Sequence, residues 1–283
     1  MIICKTGGIM SKIILEEKHI AGIPLLTMAA EGVRAAPLVF YIHGYTADKR
    51  QGIRLGMELA GEGYFFAALD ASQHGERHDA QMGALLSGEG EYTYPLECGL
   101  DIFLHMHRTI VQIGADLDKL MARLGDWPEL DVARTGVTGF SMGGFASFYL
   151  AATRPWVRTA VPIAGIPTFA ARWDDVVLES SSYPVWAAQM AAAEEETAAH
   201  YRFMGEIDPA PRLPAFAPRP LLMIQGDMDL DSPKKYAVDM FRTLRPHYKA
   251  RPEALRLSIH DGVGHQLTNG MIRETAAWFD NHL

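Results

Sequence analysis

The chain has 283 residues, 48% hydrophobic and 21% charged, with a formal net charge of −8 and a pI near 5.8. This suits one large domain or two small ones with a substantial core, and the acidic balance argues against a nucleic-acid or anionic-membrane surface, both of which use clustered Lys and Arg. No apolar run approaches the roughly 18 residues of a membrane span. The opening MIICKTGGIMSK has no signal-peptide core, and Cys4 and Cys98 form neither a C-x-x-C pair nor a zinc-spaced cluster. Reduced thiols in a cytoplasmic protein, with no cofactor or metal, are the expectation.

The first predicted strands are antiparallel, KIILEEKHI (12–20) and IPLLTMA (23–29), joined through Ala21-Gly22. PLVFYI (37–42) is a continuous apolar run, as in a parallel strand buried on both faces. A helix is predicted at about 49–61 with Ile53, Met57 and Ala60 on its apolar face. A strand over Tyr64–Asp70 follows, then a loop rich in Gly, Ser and His, then a long helix over about 99–124. His105 and His107 lie two apart on that helix and point to different faces, which argues against a shared metal.

VARTGVTGF (132–140) reads as a strand and MGGFASFYLAAT (142–153) as a helix, with Phe145, Tyr149 and Ala152 at helical spacing. VRTAVPIAG (157–165) and PLLMIQG (220–226) are further strands. Ser232-Pro233 opens a helix with a capping serine and a proline at its first position; Tyr236, Met240, Phe241 and Leu244 lie on it, and it stops before Pro246. ALRLSIH (254–260) is the last strand and 266–283 the last helix, where Leu267, Met271, Thr275 and Phe279 recur every four residues. Alternation of strand and helix from residue 37 predicts an α/β fold on a mostly parallel sheet. Residues 166–218 lack a clear strand and hold a predicted helix at about 184–204, so they read as a helical insertion within a single domain, 1–283.

Gly139-Phe140-Ser141-Met142-Gly143 sits at a strand–helix seam, the setting of a G-x-S-x-G nucleophile elbow. The turn is tight, so Gly139 and Gly143 keep its neighbours small. The Ser141 hydroxyl is lifted above the sheet at a helix amino terminus, where the Met142 N–H points toward an oxygen on the attacked carbon. Serine is a weak nucleophile at neutral pH and needs a base with an oriented acid. The expected chain order is Ser, acid, His. Asp227, Asp229 and Asp231 follow the strand at 220–226, and His260 and His265 follow the last strand. The residues alone leave both choices open. The second oxyanion donor is expected in His43-Gly44-Tyr45, from the Tyr45 N–H in preference to its hydroxyl, with His43 structural.

With these motifs the chain resembles the α/β-hydrolase superfamily over roughly residues 25–283. HGYT (His43–Thr46) together with DASQHGER (Asp70–Arg77) is similar to small bacterial esterases related to dienelactone hydrolases and to the catalytic domain of prolyl oligopeptidases. The resemblance implies Ser141 as nucleophile. It implies Asp229 as acid, three residues after Gly226 and ahead of Pro233, and His265 of Gly264-His265 as base. It makes the His74–Arg77 segment mainly structural, with Arg77 a buried or loop-bracing charge. Dienelactone hydrolases use a cysteine where this chain has Ser141, and 283 residues leave no room for a propeller domain, so a serine esterase is expected.

The expected activity is hydrolysis of a small carboxylic ester through an acyl-serine. Thioester, lactone and amide cleavage use the same machinery; a catalytically silent binding protein is the contrasting class, although no triad member is missing. In the insertion, Trp186, Met190, Ala193, Thr197 and Tyr201 recur at helical spacing, with Glu194, Glu195 and Glu196 on the wetter side. That face either packs on the sheet edge or forms a lid in which Trp186 and Met190 line a short acyl pocket.

Overall fold

The computed structural model describes residues 2–6, 9–79, 99–180, 191–192 and 194–283. One sheet holds β1 (Ile2–Thr6), β2 (Ile9–Ile20), β3 (Ile23–Ala30), β4 (Ala36–Ile42), β5 (Phe65–Leu69), β6 (Leu130–Phe140), β7 (Thr159–Ile163), β8 (Leu221–Gly226) and β9 (Leu255–His260). Their order is β1-β2-β3-β5-β4-β6-β7-β8-β9. The pairs from β1 to β5 are antiparallel, and every pair from β5 across to β9 is parallel. The helices are α1 (Ile53–Gly61), α2 (Gly99–Leu124), α3 (Met142–Thr153), α4 (Phe169–Ser180), α5 (Glu194–Ile207), α6 (Leu213–Phe216), α7 (Lys235–Leu244) and α8 (Asn269–His282). Among the described residues no helix is long and apolar enough to cross a membrane.

The apolar run of β4 divides by alternation. Leu38, Phe40 and Ile42 enter one core with α2, α3 and α7, while Val39 and Tyr41 enter the other with α1 and α8. Burial on both faces is why the strand carries no polar alternation. The predicted α/β architecture is present, with differences in detail. Strand β1 was not predicted; it pairs along β2 with Ile3 opposite Lys12. Helix α1 buries Leu55, Gly56, Leu59 and Ala60, leaving Ile53 and Met57 half-buried. Its glycine side presses on the Phe66 ring, and glycine contributes nothing to an apolar periodicity. Ser232 does not cap α7. Its N–H donates to Asp229 Oδ1 at 2.8 Å, and the helix starts at Lys235. Thr268 caps α8, accepting from the Met271 N–H at 3.3 Å.

The loop after β5 is organised by a buried ion pair. Lys49 and Asp70 are 1% and 0% exposed, with Nζ to Oδ2 at 2.8 Å. The same ammonium reaches Glu76 at 2.5 Å. The Asp70 carboxylate also accepts from the N–H groups of Lys49 (2.9 Å) and Glu76 (3.0 Å). Arg77 donates to the Asp70 carbonyl (3.2 Å) and to Asp116 on α2 (2.6 Å), so it braces the loop. Burial acts to raise the Asp70 pKa, but the Lys49 ammonium and the two N–H donors outweigh it and hold the carboxyl below its usual range. For Lys49, burial acts to lower the pKa, and bonds to Asp70 and Glu76 reverse the sign. The depressed Asp70 pKa therefore contributes stability at neutral pH that disappears as acid protonates the group.

Asp70→Asn leaves the Lys49 ammonium buried without its buried counter-ion, with only the half-exposed Glu76 and Glu17 beside it. At pH 7 urea unfolding should show a loss of about 3–5 kcal/mol, the range for one partner removed from a buried pair. The gap to the parent protein should narrow at acid pH. A loss below about 1 kcal/mol at pH 7 would show that the pair does not hold the loop.

Candidate active site

Ser141 separates β6 from α3 and has φ 55 and ψ −116, a conformation that L residues rarely adopt. Its surroundings impose that geometry. The Ser141 N–H donates to the Ile163 carbonyl of β7 at 3.0 Å, and its carbonyl accepts from the Phe145 N–H at 3.0 Å. A Cβ on Gly143 would run into the Ile42 carbonyl at the end of β4, and one on Gly139 into that oxygen and the Gly143 backbone. Hence the glycines on either side of the serine. Met142 is the first residue of α3 and is buried, so its N–H has no acceptor within the helix and lies at the positive end of the helix dipole.

The ends of the parallel strands bring two further side chains to this serine. The Ser141 hydroxyl donates to His265 Nε2 at 2.8 Å, and His265 Nδ1 donates to Asp229 Oδ2 at 2.8 Å. A carboxylate only accepts, which puts the imidazole proton on Nδ1 and leaves Nε2 free to accept. Asp229 is buried, and its other oxygen accepts from the Ser232 N–H. The Phe140 ring lies 4.9 Å from the His265 ring. The neighbouring candidates do other things. Asp227 Oδ1 accepts from the Val263 N–H at 3.3 Å, and its own N–H donates to the His260 carbonyl at 3.1 Å. His260 Nε2 donates to Glu274 on α8 at 3.0 Å. Met228 N–H donates to the Val263 carbonyl at 3.0 Å, and Gly226 packs its Cα on that same oxygen. The acid loop and the histidine loop are thereby stitched together.

The loop after β4 passes beside the serine. A Cβ on Gly44 would sit 3.5 Å from the Ser141 Cβ. The Gly44 N–H donates to Gln51 Oε1 at 2.8 Å, an oxygen that also accepts from the Tyr41 hydroxyl at 3.0 Å. His43 is buried. Its Nε2 accepts from the Ala71 N–H (3.0 Å) and its Nδ1 donates to the Gly44 carbonyl (2.7 Å), so it serves as a strut between two loops. Burial lowers its pKa. The Tyr45 hydroxyl donates to His105 Nδ1 at 2.9 Å, and His105 Nε2 donates to Gln73 Oε1. His74 lies edge-on to the Tyr45 ring at 5.1 Å, its pKa pushed down to about 4, first by burial and then by the neighbouring His43 and His105. The role of His105 beside Tyr45 is not marked in the sequence. Its contact with Tyr45 spans 60 residues, and no local pattern marks it.

Among the described residues the insertion contains α4, α5 and α6 and no strand. It packs inward through Phe169, Trp173, Met204, Leu213 and Phe216. Phe169 stacks on Phe145 of α3 at 5.8 Å, one turn beyond Ser141. Asp208 closes the insertion, accepting from the Ala170 N–H at 3.0 Å, and Asp175 bonds Tyr236 and Lys235 at the start of α7. The expected apolar face of α5 is corrected. The buried residues are His200, Met204 and Ile207, whereas Tyr201 is 46% exposed and Thr197 half-buried. His200 packs against Trp173 and His107 at 4.9 and 5.4 Å, so a neutral imidazole occupies a core position that apolar counting skips. Glu194, Glu195 and Glu196 are exposed, as expected. Trp186 and Met190 lie outside the described residues. The metal-type donors of Asp229, Asp231 and His265 lie within 4.8 Å of one another, but Asp229 and His265 are bonded to each other, and His265 to Ser141.

Residues 116–283 match the prolyl oligopeptidase family. The Bacillus subtilis (strain 168) protein named "Putative esterase YitV" is 25% identical over 271 residues, covering 95% of this chain and 99% of its own. Among solved structures, TT1662 from Thermus thermophilus superposes with a TM-score of 0.67 at 21% identity, covering 95% of this chain and 98% of that one. Acetyl Xylan Esterase 1 from Thermoanaerobacterium sp. JW/SL YS485 does so with a TM-score of 0.60 at 18% identity, covering 95% and 87%. The architecture is that of the α/β-hydrolase fold.

Gly143→Ala should force the elbow away from β4. Urea unfolding is expected to show a loss of about 1–3 kcal/mol or more, the cost of overpacking a rigid contact. Gly205→Ala, on the exposed side of α5 with nothing within 4 Å of a new Cβ, should be neutral or stabilising. Equal stability of the two variants would refute the contact.

Proposed function

The chain belongs to the prolyl oligopeptidase family of hydrolases, and on that footing we propose that it cleaves carboxylic esters through an acyl-serine intermediate. The observation that carries the proposal is the pair of 2.8 Å hydrogen bonds running Ser141–His265–Asp229 at a strained strand–helix turn. In this reading Ser141 Oγ attacks the acyl carbon as His265 Nε2 takes its proton. The carbonyl oxygen, now an anion, is met by the N–H groups of Met142 and Tyr45. The Tyr45 hydroxyl is already given to His105, which favours the backbone N–H as donor. Collapse of the intermediate expels the alcohol, protonated by His265. A water then repeats the sequence on the acyl-enzyme, and the acid leaves. Asp229 stays ionised, keeps the proton on Nδ1 and stabilises the imidazolium. No cofactor enters these steps.

Esters in preference to peptides are supported by the names of the similar proteins, one an acetyl xylan esterase. A short acyl group is supported by the Phe169–Phe145 stack, which brings the insertion within a helical turn of the nucleophile. We place the acyl pocket under the described part of this insertion. The sparse cysteines suit a cytoplasmic substrate. The family name favours amide cleavage as the second reading. Matched p-nitrophenyl acyl esters and acyl p-nitroanilides separate the two. Faster turnover of the anilides would overturn the ester reading.

A fluorophosphonate probe should label Ser141, and Ser141→Ala should lose both labelling and about 10⁶ in kcat while staying folded. Asp229→Asn should cost about 10⁴ in kcat by analogy with other triads, whereas Asp227→Asn should cost little beyond stability. The reverse ranking of the two aspartates would move the acid.

Tyr45→Phe removes the hydroxyl and keeps the backbone N–H. Ester turnover should stay within a few-fold of the parent, with a stability loss of about 1 kcal/mol for the missing bond to His105. A fall of 10²-fold or more would assign the oxyanion contact to the hydroxyl.

A further inference from the structure

The end of the sheet opposite Ser141 carries a basic groove of about 680 Å³, a ligand-sized volume. Arg134, Arg158, Arg219, Arg251 and His282 line it, beside Asp280 and the last residue, Leu283. The chain as a whole carries a net −8, so four arginines around one hollow run against its average. They come from four separate stretches, one at the amino-terminal part of each of the adjacent strands β6, β7, β8 and β9 or just before it.

Three of the four guanidinium groups are tethered from behind by main-chain carbonyls. Arg134 donates to Ala35 at 2.7 Å, Arg158 to Ala133 at 2.9 Å and Arg219 to Val157 at 3.5 Å. Arg219 also lies over the Phe216 ring at 5.2 Å. Arg134 has Asp131 as a neighbour at 2.7 Å and Arg251 has Glu253 at 3.4 Å. Among the described residues, Arg158 and Arg219 form no ion pair with any carboxylate within 4.0 Å. The Arg158 and Arg219 heads, held in place with N–H groups to spare, are preorganised for an anion, and the guanidinium fork matches phosphate oxygens two at a time.

The spacing sets the size of that anion. Four adjacent strands span three inter-strand gaps, about 14 Å at roughly 4.8 Å each. A single phosphate reaches one or two of the arginines; a chain of phosphates reaches along the row. We propose that this groove binds a linear polyphosphate group, either free or carried on a nucleotide. It lies seven residues along β6 from Ser141, about 23 Å at roughly 3.3 Å per residue, so its ligand does not compete with an ester for the nucleophile.

The test is isothermal titration and thermal melting of the full chain with tripolyphosphate, metal-free ATP and orthophosphate, at low salt and again at about 0.15 M salt. The expected result is saturable binding of tripolyphosphate at least tenfold tighter than orthophosphate, with a rise in Tm. ATP equal to tripolyphosphate means that the phosphate chain alone is read, and tighter ATP means that the nucleoside is read as well; both support the site. Arg158→Ala with Arg219→Ala should weaken tripolyphosphate at least tenfold and leave p-nitrophenyl acetate turnover unchanged. Arg242→Ala, on the exposed face of α7, should change neither. Should the alanine pair unfold, Arg158→Lys with Arg219→Lys keeps the charge, loses the fork, and should still weaken binding. The proposal is overturned by the absence of saturable binding to both polyphosphates, by orthophosphate binding as tightly, or by a folded double variant that binds as the parent does.

Discussion

Two main-chain carbonyls, those of Ile42 and Ile163, fix the place of the turn on which everything else converges. They end the strands on either side of β6. One fills the space that a side chain at position 143 would need, and the other accepts the Ser141 N–H. A backbone-to-backbone approach of this kind cannot relax by changing rotamers. The unfavourable φ of Ser141 persists because the sheet on both sides over-determines it. The sheet must be parallel here, since only then do β4, β6 and β7 present their carboxyl ends side by side.

The remaining parts of the site are joined by polar ties between loops. Asp227, Met228 and Gly226 bind the acid loop to the Val263 segment that leads to His265. His43 joins the loop after β4 to the loop after β5, and the Lys49–Asp70 pair with Arg77 fastens the latter to α2. Lys49, Asp70 and His43 are buried and each has the partners that satisfy it, which is the condition under which polar groups specify a geometry instead of destabilising it.

Much of this was visible in the sequence wherever the constraint is local. Glycines flanking one serine between an apolar strand and an apolar helix encode the elbow, because the clash they avoid lies within that turn. The alternation of strands and helices encodes the mostly parallel sheet. Legibility fell where the deciding contact is distant. Asp227 and Asp229 differ in whether the Val263 main chain or the His265 ring lies opposite, and His260 and His265 differ in whether Glu274 or Ser141 does. None of that is a matter of spacing. The apolar faces of α1 and α5 were misphased because Gly56 and His200, buried by a neighbouring ring and by a pair of aromatic partners, do not count as apolar residues. The groove of arginines was hidden by a net negative chain, since composition averages over positions that the strand order brings into a row.

The stitching of the acid loop to the histidine loop bears on how such a chain can change in length over evolutionary time. A residue added to or removed from either loop would shift one side of a hydrogen-bonded seam against the other, carrying Asp229 away from His265. Length changes in the two loops must therefore arrive as matched pairs, which are rare events. The span between β7 and β8 is under no such rule, because Asp208 clamps its base by accepting from the Ala170 and Ala210 N–H groups. Indels should gather there, and with them the divergence of substrate preference, while the last strand-to-helix turn keeps a constant number of residues.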